Sequence, residues 1–388
     1  MAQNTTTNNK TNKEADRRAN RKGVPTRMQE TASEVMQASN TTYIGIDVHL
    51  KRYVFCRKEG GRTAQPAQGM SPEAFLRWIE GQKSKASRLV CCYEAGPFGY
   101  ILARKLRAMG IECQVIRPQD WDKYGKRVKT DRRDATAMVE ALALYDGGNR
   151  RALSIVRIPT EEQEQQRMVS RQREAMVREM KRLASVGRSY ALSQGHEIRG
   201  KWWGQRQWSI LEKQLPQWLV AILENTRRAL LTIAELVEKL TEKIESRARP
   251  ASARPKALGK LTEQVIDNEV GDWKRFNNRR QVGSYAGLCP CEFSSGGSRQ
   301  MGSINKHGSP RLRTALIEAT WRLIRLQPEW WRWKRLQEKA AQAGKGWRFG
   351  RKQMVVALAR GLAIDLWRLN TGRCALADLG LLPAAQET

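Results

Sequence analysis

Four carboxylates between positions 47 and 134 carry the chemistry most legible in this chain. Asp47 closes the apolar run Tyr43-Ile44-Gly45-Ile46, and Glu94 closes a second, Leu89-Val90-Cys91-Cys92-Tyr93. Asp131 and Asp134 lie three positions apart in Lys129-Thr130-Asp131-Arg132-Arg133-Asp134-Ala135. A carboxylate at the exit of a buried strand is costly to desolvate unless it meets a cation or a partner. Residues three apart on a helix share a face, so Asp131 and Asp134 can address one ion. Adjacent strands lie about 4.8 Å apart, which would bring Asp47 and Glu94 to neighbouring positions. Like charges gathered that closely raise one another's pKa unless a metal compensates. The expected site is a hard-oxygen centre for Mg²⁺, or Mn²⁺, suited to phosphate chemistry. On spacing alone a plainer alternative stands beside it: Asp131 as a helix N-cap and Asp134 as a solvated partner of Arg133.

Charge says whose phosphate that would be. Over 388 residues the chain carries 70 Lys+Arg against 39 Asp+Glu, a formal net charge of +31. Such an excess repels itself and calls for a polyanion. The basic residues are spread along the chain, which favours an extended phosphate track over a single patch. No apolar run approaches the roughly 20 residues needed to span a bilayer, and the polar N-terminus has no apolar signal core. No membrane partner is expected, and the expected location is the bacterial cytoplasm, at the nucleoid. Seven scattered cysteines suit a reduced compartment better than a disulfide framework. Cys289 and Cys291 are too close for ordinary zinc spacing.

The elements that must position these groups follow from periodicity. Residues 1–40, rich in Asn, Thr, Gln, Lys and Arg, read as a disordered basic leader. Strands are expected at Tyr43–Val48, Arg52–Arg57, Arg88–Tyr93 and Ile111–Ile116. Helices are expected at Ser71–Gln82, where Ser71 caps and Pro72 takes the first turn, at Phe98–Met109, and at Thr130–Leu144. This is an α/β layer with a mixed sheet, spanning 41–157. The segment 158–250 is different. Leu219, Leu223, Thr226, Leu230, Ile233, Val237, Leu240 and Ile244 alternate steps of four and three, the a/d seam of a coiled coil. Met168, Met176, Met180, Leu183 and Val186 give a weaker upstream stripe. Two long helices joined by the Trp-rich stretch Lys201–Trp218 suggest either an antiparallel hairpin or an intermolecular coiled coil, with a helical core inside one domain as the plainer possibility. After a Pro/Ala/Arg/Ser linker, 251–372 reads as mainly helical: Leu258–Glu269, Trp273–Tyr285, Pro310 to about Leu326 and Lys352 to about Leu369, interrupted by a Gly/Ser-rich loop at Cys289–Gly308. Residues 373–388 read as a tail.

Ile-Gly-Ile-Asp at 44–47, Tyr-Glu-Ala-Gly at 93–96 and Lys-Thr-Asp-x-x-Asp-Ala at 129–135 resemble the Asp-Glu-Asp-Asp signature of the insertion-sequence-110 family of transposases. Tyr-Ala-Gly-Leu-Cys-Pro at 285–290, Ser-Gly-Gly-Ser at 295–298 and Asn-Lys-His-Gly-Ser-Pro-Arg-Leu-Arg at 305–313 resemble that family's C-terminal transposase domain, in the same order. The resemblance implies a RuvC-like ribonuclease-H fold for the N-terminal domain. It implies Mg²⁺ held by Asp47, Glu94, Asp131 and Asp134, and a catalytic Ser295, flanked by Ser294 and Ser298, that attacks a DNA phosphate and keeps it as a phosphoserine. It further implies a recombinase guided by a structured non-coding (bridge) RNA, acting on donor and target double-stranded DNA as a tetramer, a dimer of dimers.

A covalent serine ester conserves the energy of the broken phosphodiester, so rejoining needs no nucleotide cofactor. Lys126, Arg127, Lys129, Arg132 and Arg133 surround the carboxylate helix, and Arg299, Lys306, Arg311 and Arg313 flank the serine loop; as a group they are expected to contact nucleic-acid phosphate. Two rival functions use the same residues differently. A metal-dependent junction nuclease would employ the four carboxylates with water as nucleophile. A non-catalytic RNA or DNA packaging protein would need only the charge.

Overall fold

A computed structural model of the chain describes residues 41–121, 130–293, 300–344 and 350–384. The leader expected at 1–40 lies outside them. The protein is a mixed α/β molecule, mostly helical, in two compact units, Met1–Ile158 and Pro159–Thr388. Among the described residues no helix is long and apolar enough to cross a membrane.

The first unit is built on strands β1 (Thr41–Val48), β2 (Tyr53–Glu59), β3 (Gln68–Met70), β4 (Arg88–Glu94), β5 (Glu112–Ile116) and β6 (Ile155–Val156). They form one six-stranded sheet in the order β3-β2-β1-β4-β5-β6. β1, β4 and β5 run parallel; β2 is antiparallel to β1 and β3, and β6 to β5. Three helices cover it: α1 (Pro72–Lys83), α2 (Ile101–Ala108) and α3 (Asp131–Asp146). The strands expected from the sequence are present within two residues at each end. β3 and β6, three and two residues long, are too short to show a period and were not expected. Helix α1 begins as its sequence requires, with the Ser71 hydroxyl accepting from the Ala74 backbone N–H. Helix α2 starts at Ile101, later than expected, because 98–100 forms a turn.

Side-chain alternation assigns the two sheet faces. Ile44 and Ile46 of β1, Cys91 and Tyr93 of β4, and Cys113 and Val115 of β5 point into a core with Phe75, Ile79, Leu102 and Leu106 of α1 and α2. Tyr43 of β1, with Val90 and Cys92 of β4, points the other way, into a core with Ala135, Met138, Val139 and Leu142 of α3. By the same parity Asp47 and Glu94 belong to the α3 face.

The second unit opens with α4 (Glu161–Ser193), α5 (Gln205–Gln214) and α6 (Gln217–Glu245). Helix α4 starts in a capping box, Thr160 accepting from Gln163 N while the Gln163 side chain returns to the Thr160 N–H. The expected seam is the packed side of α6: Leu219, Leu223 and Leu230 meet Ala184 and Ala191 of α4 in one core. Arg173 Nε donates to Thr241 Oγ1 at 2.6 Å, so the start of α4 lies beside the end of α6 and the pair is an antiparallel hairpin within the chain. The Trp-rich stretch fills this core. Trp202, Trp203 and Trp208 are buried there, and Trp202 Nε1 donates to the Ala184 carbonyl at 3.0 Å. Gly187 of α4 makes room for that indole, since any Cβ would collide with the ring.

Beyond 250 lie α7 (Lys260–Val270), α8 (Arg279–Tyr285), strands β7 (Pro290–Glu292) and β8 (Met301–Ile304), α9 (Pro310–Leu326), α10 (Trp331–Ala343) and α11 (Arg351–Asn370). Their shared core includes Ile266, Leu316, Leu323, Trp330, Leu362 and Leu366. Helix α8 is shorter than the segment expected: Trp273–Arg275 makes a separate 3-10 turn, and Asn278 caps α8 afresh by accepting from the N–H groups of Arg280 and Gln281. The Gly/Ser-rich segment is more than a loop, because its ends pair as the antiparallel hairpin β7–β8.

Candidate active site

The site forms where β1, β4 and the first turn of α3 meet. β1 and β4 are in parallel register from Thr41↔Arg88 to Ile46↔Tyr93, so one further step sets Asp47 level with Glu94. Helix α3 lies directly on β1 because of Gly45. A Cβ there would come within 2.5 Å of the Ala135 carbonyl and 2.6 Å of the Val139 nitrogen. That close approach carries Asp131 and Asp134 over the end of β1.

Thr130, not Asp131, is the N-cap of α3; its hydroxyl accepts from the Arg133 N–H. Asp131 is therefore free of the capping role and extends from the first helical position. Its Oδ2 lies 3.4 Å from His49 Nε2, which lies 3.2 Å from Asp47 Oδ2. Ligand atoms of Asp47, His49 and Asp131 all fall within 4.8 Å of one another. Burial pushes the Asp47 carboxyl above its ordinary range, His49 opposes this, and the nearby charges of Asp131 and then Asp134 add to it. Such a carboxylate is short of positive charge, and two carboxylates with an imidazole suit a divalent cation.

Glu94 is held differently. Its Oε1 accepts from Trp121 Nε1 at 2.7 Å and from the Gln119 N–H at 3.2 Å. It stands on the same face as Asp47 but outside the tight group of three. Of the four expected carboxylates, Asp47 and Asp131 are brought together, Asp134 is near enough to act on Asp47, and Glu94 borders them from the next strand. His49 was not anticipated. Its signal was parity: two residues past Asp47, it projects to the same side of an extended chain.

Arg132 and Arg133 are exposed on the first turn of α3. Lys306 is exposed, and its carbonyl accepts from Arg313 Nη1 at 3.3 Å. Arg311 faces inward: it pairs with Glu174 at 2.6 Å and Glu269 at 3.3 Å, and donates to the Ser170 carbonyl. Ser295, Lys126, Arg127, Lys129 and Arg299 lie outside the described residues.

Residues 255–334 match the family described as transposase IS116/IS110/IS902, and residues 44–190 match the DEDD-type transposase family of IS110 elements. A putative transposase of Sinorhizobium fredii, y4rJ, is 32% identical over 309 residues, covering 72% of this chain and 76% of that protein. This chain belongs to the IS110 family of transposases. Other relatives include the transposase for insertion sequence element IS1328 of Yersinia enterocolitica, 25% identical over 72% of this chain and 83% of its own. The transposase for IS1111A of Coxiella burnetii is 28% identical over 69% and 74%. The protein is thus a DNA transposase of an insertion sequence, and the carboxylate cluster lies within the span matched by the family's DEDD model.

Proposed function

We propose that this transposase is an RNA-guided recombinase that cuts and rejoins DNA through a phosphoserine. The observation that carries the metal-dependent part of this reading is the convergence of Asp47, His49 and Asp131, with Asp134 acting on Asp47, at the end of a parallel strand pair; the phosphoserine and the RNA guide rest on the family resemblance. The sheet order, with β2 alone reversed among β2, β1, β4 and β5, supports a RuvC-like ribonuclease-H fold for 41–157. Asp47, Glu94, Asp131 and Asp134 are the proposed ligands of Mg²⁺ or Mn²⁺, with His49 beside them. A bound divalent ion would neutralise charge on the phosphate and lower the pKa of the attacking hydroxyl.

The chain's own groups supply the rest. Trp121 and the Gln119 N–H fix the Glu94 carboxylate. The N-terminus of α3 presents its positive dipole end towards the same place. Ser295 provides the nucleophile: its Oγ bonds to phosphorus, the DNA oxygen on the far side leaves with a proton, and the ester is held until another DNA hydroxyl reverses the exchange. Arg132, Arg133, Lys306 and Arg313 are proposed contacts to phosphate, with Lys126, Arg127, Lys129 and Arg299; Arg311, paired inward with Glu174 and Glu269, is not among them. Base pairing by a bridge RNA selects donor and target duplexes, while the protein reads shape and charge. The helical region 158–250 assembles subunits into a tetramer, because two duplexes must be exchanged together. Trp218, Ile222 and Leu236, exposed on α6, support that role.

Purified wild type, Ser295→Ala and Asp47→Asn, each with element-end DNA, Mg²⁺ and element-encoded RNA, test the mechanism on denaturing gels. Wild type is expected to yield a protein–DNA adduct and both variants none. Cutting by Ser295→Ala would assign the site to a water-using nuclease. Recombination by protein stripped of RNA would overturn guidance.

A further inference from the structure

Nε2 of His49 occupies a position that a hydrogen bond alone does not account for. It lies 3.2 Å from Asp47 Oδ2 and 3.4 Å from Asp131 Oδ2. Both neighbours are carboxylate oxygens, which accept and do not donate. One N–H has one direction, so it can serve one of them well and not both. Ligand atoms of all three residues fall within 4.8 Å of one another. Donors on adjacent corners of an octahedral ion, each about 2.1 Å from it, stand about 3 Å apart. The two spacings at Nε2 are close to that edge. A nitrogen set between two anionic oxygens at such distances frames a cation.

The imidazole is held in place although its side chain is 49% exposed. Its backbone N–H donates to the Arg52 carbonyl at 3.2 Å, which closes the turn between β1 and β2. The ring meets Phe98 edge-on, with centroids 6.4 Å apart. Glu94 is committed elsewhere through Oε1, to Trp121 and the Gln119 N–H. The group of three therefore contains one nitrogen and two carboxylates.

We propose that His49 Nε2 is a direct ligand of the divalent ion, with Asp47 and Asp131, and that this nitrogen makes the site favour Mn²⁺ over Mg²⁺. A nitrogen ligand presupposes the metal-site reading and deepens it: the ligand set is mixed nitrogen and oxygen, with Glu94 and Asp134 at its border. Mg²⁺ is a hard ion that prefers oxygen and gives up its water reluctantly. First-row transition ions accept imidazole nitrogen more readily, so a site that offers one separates the two classes. In the ion-free protein Nε2 carries the ring's proton and directs it at Asp47. On binding, Nε2 offers its lone pair to the ion and the ring's single proton resides on Nδ1. An imidazole that served only to orient the carboxylates would keep its proton on Nε2 and stay out of the ion's coordination sphere.

The test uses the untagged full chain with Mn²⁺ and no DNA, so that binding is read apart from activity. Wild type should bind Mn²⁺ and show nitrogen coupling to it in pulsed EPR. His49→Ala should lose the coupling and bind Mn²⁺ about 10-fold or more weaker, with melting temperature unchanged. His196→Gln with His307→Gln, which removes the chain's other two histidines, should keep the coupling. In competition, Mg²⁺ should displace Mn²⁺ from wild type only at about 10-fold or greater excess, and His49→Ala should bring the two ions nearer parity. His49→Glu, which substitutes an oxygen donor, should bind Mn²⁺ without coupling and move the preference towards Mg²⁺. Mn²⁺ bound to wild type without nitrogen coupling, or coupling that survives in His49→Ala, overturns the nitrogen ligand and leaves the carboxylate site standing. Mn²⁺ binding as tight in Asp47→Asn as in wild type, or none in wild type, overturns the carboxylate site and the nitrogen ligand with it.

Discussion

At the scale of single residues, His49 is the group that spacing arguments passed over. Its Nε2 sits between Asp47 Oδ2 and Asp131 Oδ2, at 3.2 and 3.4 Å. It orients both carboxylates when Nε2 carries the proton. Replacing it with Ala should reduce strand cleavage by about 10–100-fold, the range seen when groups that orient metal ligands are lost, and should raise the Mg²⁺ concentration needed for half-maximal rate. Asp47→Asn should be more severe and should not recover at high Mg²⁺. Cleavage by His49→Ala at the wild-type rate and Mg²⁺ dependence would remove the imidazole from the site. Gly45 is the second such residue. In Gly45→Ala the new methyl meets backbone atoms of α3, which cannot rotate away as a side chain can. Denaturant unfolding should show a loss of about 1–3 kcal/mol, and cleavage should fall further than stability, because Asp131 and Asp134 ride on the helix that is displaced.

At the scale of elements, the sequence disclosed what has a period and hid what depends on a partner. The strands carrying Asp47 and Glu94 were legible because both faces of the sheet are covered, which leaves unbroken apolar runs ending in acids. The seam of α6 was legible as well, but not what it packs against. That partner, α4, shows only a weak stripe, since Ala184, Gly187 and Ala191 serve as low points for tryptophans arriving from 202–208. Short strands β3 and β6 follow from their neighbours' hydrogen bonds, not from their own residues. Helix α7 hides another dependence. Glu263 is 1% exposed and pairs with Arg249 at 2.6 Å, with Arg254 at 3.9 Å. Burial nonetheless raises its carboxyl above the ordinary value, against Arg249 and with Asp267. A carboxyl raised by folding binds more protons in the native state across that window. Its contribution is fully present below the unfolded pKa and is lost as pH rises through the folded one. Glu263→Gln, a mimic of the protonated form, should therefore gain on wild type in urea melts as pH goes from about 4 to 7. The opposite trend would show that pairing with the arginines outweighs burial.

At the scale of the whole molecule, the packing of α6 leaves one question that its charge does not answer. The seam is consumed within the chain, yet Trp218, Ile222 and Leu236 are 53%, 43% and 45% exposed. They fall at steps of four and fourteen, which return to one face of a helix. A solvent-facing stripe of this kind on a long hairpin is a natural surface for a second copy of the chain, and the proposed exchange between two duplexes would draw on such assembly. Ile222→Asp with Leu236→Asp should lower the mass measured by light scattering and abolish recombination. Helical content should be unchanged, because neither side chain belongs to the intrachain core. Mn²⁺ binding should also be unchanged, since Asp47, His49 and Asp131 come together within one chain. If the mass holds while recombination fails, the stripe serves something other than self-association, and the assembly surface must be sought elsewhere on this basic molecule.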